Sequence, residues 1–208
     1  MTKYVKYPRT FHLPWSPGAT SDDKVLANTN HFIGKKIVVT EKMDGENTTM
    51  YKDHIHARSL DSAGGIDRDW VKMFWSTFSH DIPDNYRICG ENMWARHSIH
   101  YTNLKSYFYG FSIWDGETCL DWDIMLMYFQ YFDIVPVPVV YKGIWNEELI
   151  RSINIDDKEG YVVRLADSFE YKDFGTSVAK YVRANHVQTD EHWRQQAFVP
   201  NVLVDSIK

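Results

Sequence analysis

Residues 41–45 read Glu41-Lys42-Met43-Asp44-Gly45, directly after the apolar run Ile37-Val38-Val39. The pattern places a lysine at a strand end, with a carboxylate on either side and a glycine turn behind it. An amine so placed could attack the α-phosphate of a nucleotide and hold the nucleotide as a covalent adduct. Lysine is protonated at neutral pH, with an unperturbed pKa of about 10.4, and flanking carboxylates raise that value further. Lys42 as a nucleophile therefore needs positive charge nearby, from a divalent metal or from other basic residues.

The chain contains groups suited to both. Cys89-Gly90-Glu91-Asn92 follows a β-rich run and sets Glu91 at a strand end. Glu159-Gly160-Tyr161-Val162-Val163-Arg164 opens a strand with a glutamate. Val178-Ala179-Lys180-Tyr181-Val182-Arg183 carries Lys180 inside an apolar strand, where alternation turns Ala179 and Tyr181 to the other face. A single lysine on such a strand is commonly just its solvent face, and each of these signals is weak alone.

In order and combination they resemble the motifs of the covalent nucleotidyltransferases: ATP-dependent DNA and RNA ligases and mRNA capping enzymes. Glu41-Lys42-Met43-Asp44-Gly45 resembles the nucleotidyl-lysine motif and Cys89-Gly90-Glu91-Asn92 the next. Tyr109-Gly110-Phe111-Ser112-Ile113-Trp114-Asp115 resembles the aromatic strand that follows, and the segments holding Glu159 and Lys180 resemble the last two. Within the superfamily the chain is most similar to the nick-sealing group of ATP-dependent RNA ligases. The resemblance implies that Lys42 carries AMP, that Arg58 contacts phosphate or ribose, and that Glu91 bonds the ribose. Phe111 would stack on adenine, Glu159 would hold the divalent metal, and Lys180 would contact the α-phosphate. Glu41 would give backbone contacts to the base, and Gly45 would shape the turn by adopting a backbone other residues resist.

The expected cofactors are ATP and Mg2+ or Mn2+. The expected partner is RNA with 5′-phosphate and 3′-hydroxyl ends, with DNA left open and a protein that helps to hold the nucleic acid also left open. Two other readings stand beside the ligase: a nucleotidyltransferase of capping or adenylylating type, and a non-catalytic module that binds nucleic-acid ends. Relatives commonly carry two lysines one residue apart in the last motif. Here Val182 replaces the second, and Arg183 falls on the face opposite Lys180.

The elements that must position these residues read as α+β. Strands are expected over 36–41, 47–51, 55–59, 86–94, 107–114, 160–165 and 178–182. Helices are expected over 67–80, capped by Asp67 or Asp69, and over 121–132 and 147–153. Pro8, Pro14 and Pro17 forbid a continuous helix near the N-terminus. The expected architecture is a nucleotidyltransferase (ATP-grasp-like ligase) core of antiparallel β-sheets flanked by helices, with no separate C-terminal OB domain. It forms one adenylyltransferase domain over 1–208: an irregular arm over 1–24, a core over 25–183 and a short tail over 184–208. Within the arm, residues 9–15 are expected to fold back on the core rather than lie over a nucleotide.

Composition bounds the rest. The chain has 208 residues, 44% of them hydrophobic and 25% charged, as in globular proteins. A net charge of −5 argues against tight nonspecific nucleic-acid binding, with Lys3, Lys6, Arg9, Lys35 and Lys36 the candidates for a local basic face. Cys89 and Cys119 stand far apart and outside zinc-site spacing. His54, His56, His97 and His100 lack companion ligands and read as surface or packed histidines. No signal sequence or membrane span is evident, so a cytoplasmic protein is expected.

Overall fold

The computed structural model describes residues 4–60, 65–184 and 199–204. In chain order its elements are β1 (Phe11–His12), β2 (Lys36–Lys42), β3 (Glu46–Met50), β4 (Ile55–Ala57), α1 (Asp69–Ser76), β5 (Tyr86–Asn92), β6 (Phe108–Asp115), β7 (Thr118–Cys119) and α2 (Trp122–Tyr131). There follow β8 (Val135–Pro136), β9 (Val139–Ile144), α3 (Glu147–Arg151), β10 (Gly160–Leu165), β11 (Phe169–Glu170), α4 (Phe174–Ser177) and β12 (Val178–Val182).

Among the described residues two sheets form. One runs β1-β12-β10-β2-β9; the other runs β11-β7-β6-β5-β3-β4, with β8 beside β6. Pairing is antiparallel except between β1 and β12 and between β6 and β8. The class is α+β, as the order of elements implies.

The first sheet has two chemically different faces because strand residues alternate. Ile37, Val39, Tyr161, Val163 and Ala179 are buried on the back face with Leu13, Phe32 and Ile150. In register across the front lie Thr40 opposite Val162 and Lys42 opposite Gly160 on β10, with Val162 opposite Lys180 on β12. The second sheet is backed by α1 and α2, which bury Val71, Met125 and Phe129 against Ile88, Phe108 and Ile113. A smaller apolar cluster of Cys89, Trp114, Cys119, Phe169, Phe174 and Val178 joins the sheets. The front of the first sheet and the inner side of the second enclose the cavity described below.

Helix α2 starts where its sequence directs: the Asp121 carboxylate accepts from the amides of Asp123 (2.8 Å) and Ile124 (3.3 Å). Helix α1 differs from the expectation. Arg68, not an aspartate, holds its N-cap position, and no side chain caps it. The chain enters α1 through a 3-10 turn, Ile66–Arg68, and the Arg68 guanidinium grips the Glu46 carboxylate through Nε (2.9 Å) and Nη2 (2.5 Å). This two-point ion pair ties the start of α1 to β3.

The end of the chain is not a free tail where it is described. Pro200 bridges Ala95 and Leu203 bridges Leu104. The Asn201 amide donates to the Met93 carbonyl (2.7 Å), and its oxygen accepts from the Tyr101 amide (2.9 Å). Lys3 and residues 185–193 lie outside the described residues.

Candidate functional site

Lys42 ends β2, where β-branched Ile37, Val38 and Val39 hold the strand between β10 and β9. Its cross-strand partner is Gly160. A Cβ on Gly160 would lie 1.9 Å from the Tyr181 carbonyl oxygen, so only glycine lets β10 approach β12 here. The residue before it, Glu159, is thereby brought beneath the lysine: Lys42 Nζ donates to Glu159 Oε2 at 2.6 Å. Burial by itself lowers the Lys42 pKa, but the carboxylates of Glu159, Glu91 and Asp44 together raise it above the ordinary lysine value. Lys42 is thus a charged, paired ammonium in this state.

The turn after Lys42 is built by Asp44. Its carboxylate accepts from the backbone amides of Ser98 and Ile99, both at 2.8 Å, while its own amide donates to the Tyr101 hydroxyl (3.2 Å). Asp44 thereby pins the 98–101 loop beside the lysine. Gly45 is required for a reason other than the one expected. Among the described glycines positive φ occurs at Gly34 and Gly116, not here. A Cβ on Gly45 would instead lie 2.5 Å from the Asn92 carbonyl oxygen and 2.7 Å from Met93 Sδ. The need is for close approach rather than for an unusual backbone.

Between the sheets lies a cavity of about 790 Å3. Lys42, Glu41, Arg58, Glu91, Phe111 and Lys180 all line it. Glu159 does not; it stands behind Lys42. Glu91 faces the cavity from β5, opposite Asn47 on β3. Burial lifts the Glu91 carboxyl, Glu159 and Asp44 lift it further against Lys42, and its pKa reaches about 8. Phe111 owes its position to a bulge. Cys89 pairs with Ser112 but Gly90 with Gly110, which leaves Phe111 as the extra residue on β6. A bulge re-aims the side chain it carries, and the Phe111 ring meets Tyr7 edge-on at 5.2 Å. Arg58 follows β4 at the exposed rim.

Lys180 stands on β12 two strands from Lys42. Burial and the Lys42 charge lower its pKa, while Asp23 and Glu159 act in the opposite direction. The Glu41 side chain turns to the back face by alternation, where its carboxylate pairs with Lys158 Nζ at 2.8 Å, so this residue lines the cavity with its backbone. Its amide donates to Pro138 O, so that donor is engaged within the fold. Arg183 lies on the face away from Lys180; its Nε donates to Lys158 O (2.7 Å) and its amide to Glu159 O (3.0 Å). It braces the backbone that presents Glu159.

Several cavity residues were not singled out by sequence. Asn47 falls two residues after Gly45, and its buried Oδ1 has no hydrogen-bond partner among the described residues. Alternation from Gly45 into β3 was the available signal. Arg164, buried at the inner end, donates to Leu120 O (2.8 Å) and lies over the Trp122 ring. His97, read from sequence as a surface or packed histidine, lines the cavity, and burial lowers its pKa. The arm divides: Leu13 packs in the back core and the Trp15 indole donates to the Tyr161 hydroxyl (3.0 Å), whereas Tyr7, Pro8, Arg9 and Thr10 line the cavity.

Among the described residues no group of three or more His, Cys, Asp or Glu is arranged to hold a metal. The carboxylate in direct contact with Lys42 is Glu159, a hard oxygen donor. That suits an Mg2+- or Mn2+-type ion whose other ligands are phosphate oxygens and water. Among the same residues no helix is long and apolar enough to cross a membrane.

The fold is α+β, with two facing sheets that carry a strand-end lysine and an acidic strand start beneath it. The RNA ligase family model matches residues 35–182, and the chain belongs to that family. Solved structures agree on the fold. Naegleria gruberi RNA ligase with PPi superposes with a TM-score of 0.60 at 18% identity, covering 90% of this chain and 58% of that one. Mutants of the same ligase solved with AMP and Mn and with ATP and Mn each give a TM-score of 0.54 at 16% identity, with the same coverage. The chain therefore spans 58% of the length of these ligases. The comparison with curated protein sequences gives no match.

Proposed function

We propose that this chain carries the nucleotidyl-transfer centre of an ATP-dependent RNA ligase that works through a lysyl-AMP intermediate. The observation that carries the reading is Lys42 Nζ held 2.6 Å from Glu159 at the wall of a 790 Å3 cavity that Phe111, Glu91 and Lys180 also line. In this reading Phe111 would stack on the base and Glu91 would bond a ribose hydroxyl, as both line the cavity. Asn47 Oδ1, buried and without a hydrogen-bond partner among the described residues, offers an acceptor beside Glu91.

In the first step the neutral Lys42 amine attacks the α-phosphorus of ATP. A P–N bond forms, the P–O bond to the β-phosphate breaks, and pyrophosphate departs with the electron pair. The ammonium must lose one proton before attack, for which Glu159 Oε2 is the acceptor already in hydrogen-bond contact, and the nitrogen loses a second to solvent once the P–N bond has formed. Lys180 presents fixed positive charge toward the phosphate oxygens. A divalent ion at Glu159 would supply charge that offsets the developing phosphate charge and disfavours the protonated amine.

In the second and third steps AMP passes to the 5′-phosphate of an RNA end, and a 3′-hydroxyl displaces it to form the phosphodiester. Arg9 and Arg58 at the cavity wall are cations suited to the incoming strand. Membership of the RNA ligase family and the fold shared with the Naegleria gruberi RNA ligase support RNA as the strand, with DNA as the alternative substrate. The test is incubation with ATP, a divalent metal and a 5′-phosphorylated nicked RNA duplex. Sealed product that Lys42→Ala abolishes supports the reading. Adenylylated protein that never seals a nick argues for an adenylyltransferase that stops at the first step, and a preference for GTP argues for the capping type.

A further inference from the structure

On the cavity face of β12, Val182 leaves Lys180 as the single cation, and one carboxylate from the N-terminal arm meets it. Asp23 Oδ1 lies 3.8 Å from Lys180 Nζ. The other oxygen of that carboxylate is fixed: Oδ2 accepts from the Thr20 amide (3.1 Å) and hydroxyl (3.0 Å), and His12 Nε2 lies 3.4 Å from it. The backbone around Asp23 is fixed too. The Lys24 carbonyl accepts from the His12 amide (2.7 Å), the Leu26 amide donates back to His12 O (2.8 Å), and Val25 bridges His12. His12 is itself the cross-strand partner of Lys180. Three tiers of backbone therefore set the reach of Asp23 to Lys180, and Asp23 lines the same cavity as Lys42.

The charges alternate across the site. Glu159 pairs with Lys42 at 2.6 Å, and Asp23 pairs with Lys180 on the other side. Without Asp23, Lys180 would still face the cations Lys42 from β2 and Arg58 after β4, offset by Glu159 before β10. Two ammonium groups in one half-buried cavity repel, which favours loss of a proton or rotation of one of them away.

We propose that Asp23 is a positioning residue for Lys180: the arm carboxylate keeps the lysine charged and aimed at the cavity wall opposite Lys42, ready to pass to the α-phosphate of a bound nucleotide. The last clause rests on the ligase reading; the pairing itself does not. Asp23 does not touch the reacting atoms and acts through the lysine.

The test is a titration of the Lys180 side chain by NMR of protein labelled at lysine Cε, with the signal assigned by its loss in Lys180→Met. Asp23→Asn should lower the Lys180 midpoint by about one pH unit, the size expected when an opposite charge a few ångströms away is removed. Asp23→Glu should restore it. Alongside, single-turnover labelling with ATP should fall about tenfold in Asp23→Asn at saturating ATP, and the same substitution should cost nothing further in Lys180→Met. A midpoint unchanged in Asp23→Asn overturns the proposal. So does a labelling loss of equal size in the Lys180→Met background, which would assign Asp23 a role independent of the lysine. A shifted midpoint in a protein whose wild type takes no label supports the pairing and rejects the ligase reading alone.

Discussion

The Lys42 amine and the Glu159 carboxylate stand 2.6 Å apart, and this contact joins the end of β2 to the start of β10 through the Lys42–Gly160 register pair. It makes the group assigned to metal binding the present counter-ion of the group assigned to nucleophilic attack. The amine is held charged by the same carboxylate that could take its proton, so the contact must change before the lysine can react.

Replacing Glu159 therefore acts in two directions. Glu159→Gln removes the largest interaction that raises the Lys42 pKa, so the rise of the adenylylation rate with pH should begin at lower pH. The maximal rate should fall about 100-fold, the usual cost of losing one preorganised charged group at a reaction centre. A pH–rate profile of single-turnover labelling checks both.

Glu91 should impose a pH dependence on stability. Its pKa is raised in the folded state to about 8, so between the ordinary glutamate value and about pH 8 the folded state binds more protons than the unfolded. Stability then falls as pH rises through that window and levels off above it. Glu91→Gln should flatten this slope and melt higher than wild type above pH 8. Thermal melts from pH 4.5 to 9 measure it.

Phe111→Ala should weaken ATP binding by about 1–3 kcal/mol, the range for loss of one base–aromatic stack. Phe111→Tyr should stay close to wild type. Isothermal titration with ATP in the Lys42→Ala background, where no transfer intervenes, reads this directly.

Asp44→Ala deprives the Ser98 and Ile99 amides of a charged acceptor. Charged hydrogen bonds contribute about 1.5–3 kcal/mol each, and water will replace part of the loss at this half-buried loop. Destabilisation of about 3 kcal/mol by urea unfolding is expected, with faster hydrogen exchange at residues 98 and 99.

Three strands of the sheet that carries the lysine were legible because β2 holds the run Ile37-Val38-Val39 and β10 and β12 are rich in valine and tyrosine. The expected 160–165 and 178–182 are observed as Gly160–Leu165 and Val178–Val182, and 36–41 as Lys36–Lys42. Strand β9 was missed: it is an edge strand paired on one side only, with Val139, Val140 and Ile144 exposed, so it lacks a buried period. The Phe111 bulge was invisible because register belongs to a pair of strands, not to one. The parallel pairing of His12 with Lys180 joins residues far apart in sequence through a two-residue strand, which leaves no local pattern. Asp23 and the cavity-lining part of the arm were missed for the same reason. Arg68, not a capping aspartate, stands at the start of α1, tied to Glu46 of β3, a pairing of residues 22 apart that local capping patterns do not reveal.

The central claim is that Lys42 takes up AMP. Intact-mass analysis after incubation with ATP and Mg2+, followed by peptide mapping, tests it most directly. The account predicts a mass gain of one AMP, on the peptide containing Lys42 and absent from Lys42→Ala. A folded wild-type protein that gains no mass with ATP and either Mg2+ or Mn2+, or that carries the adduct on another residue, would contradict it.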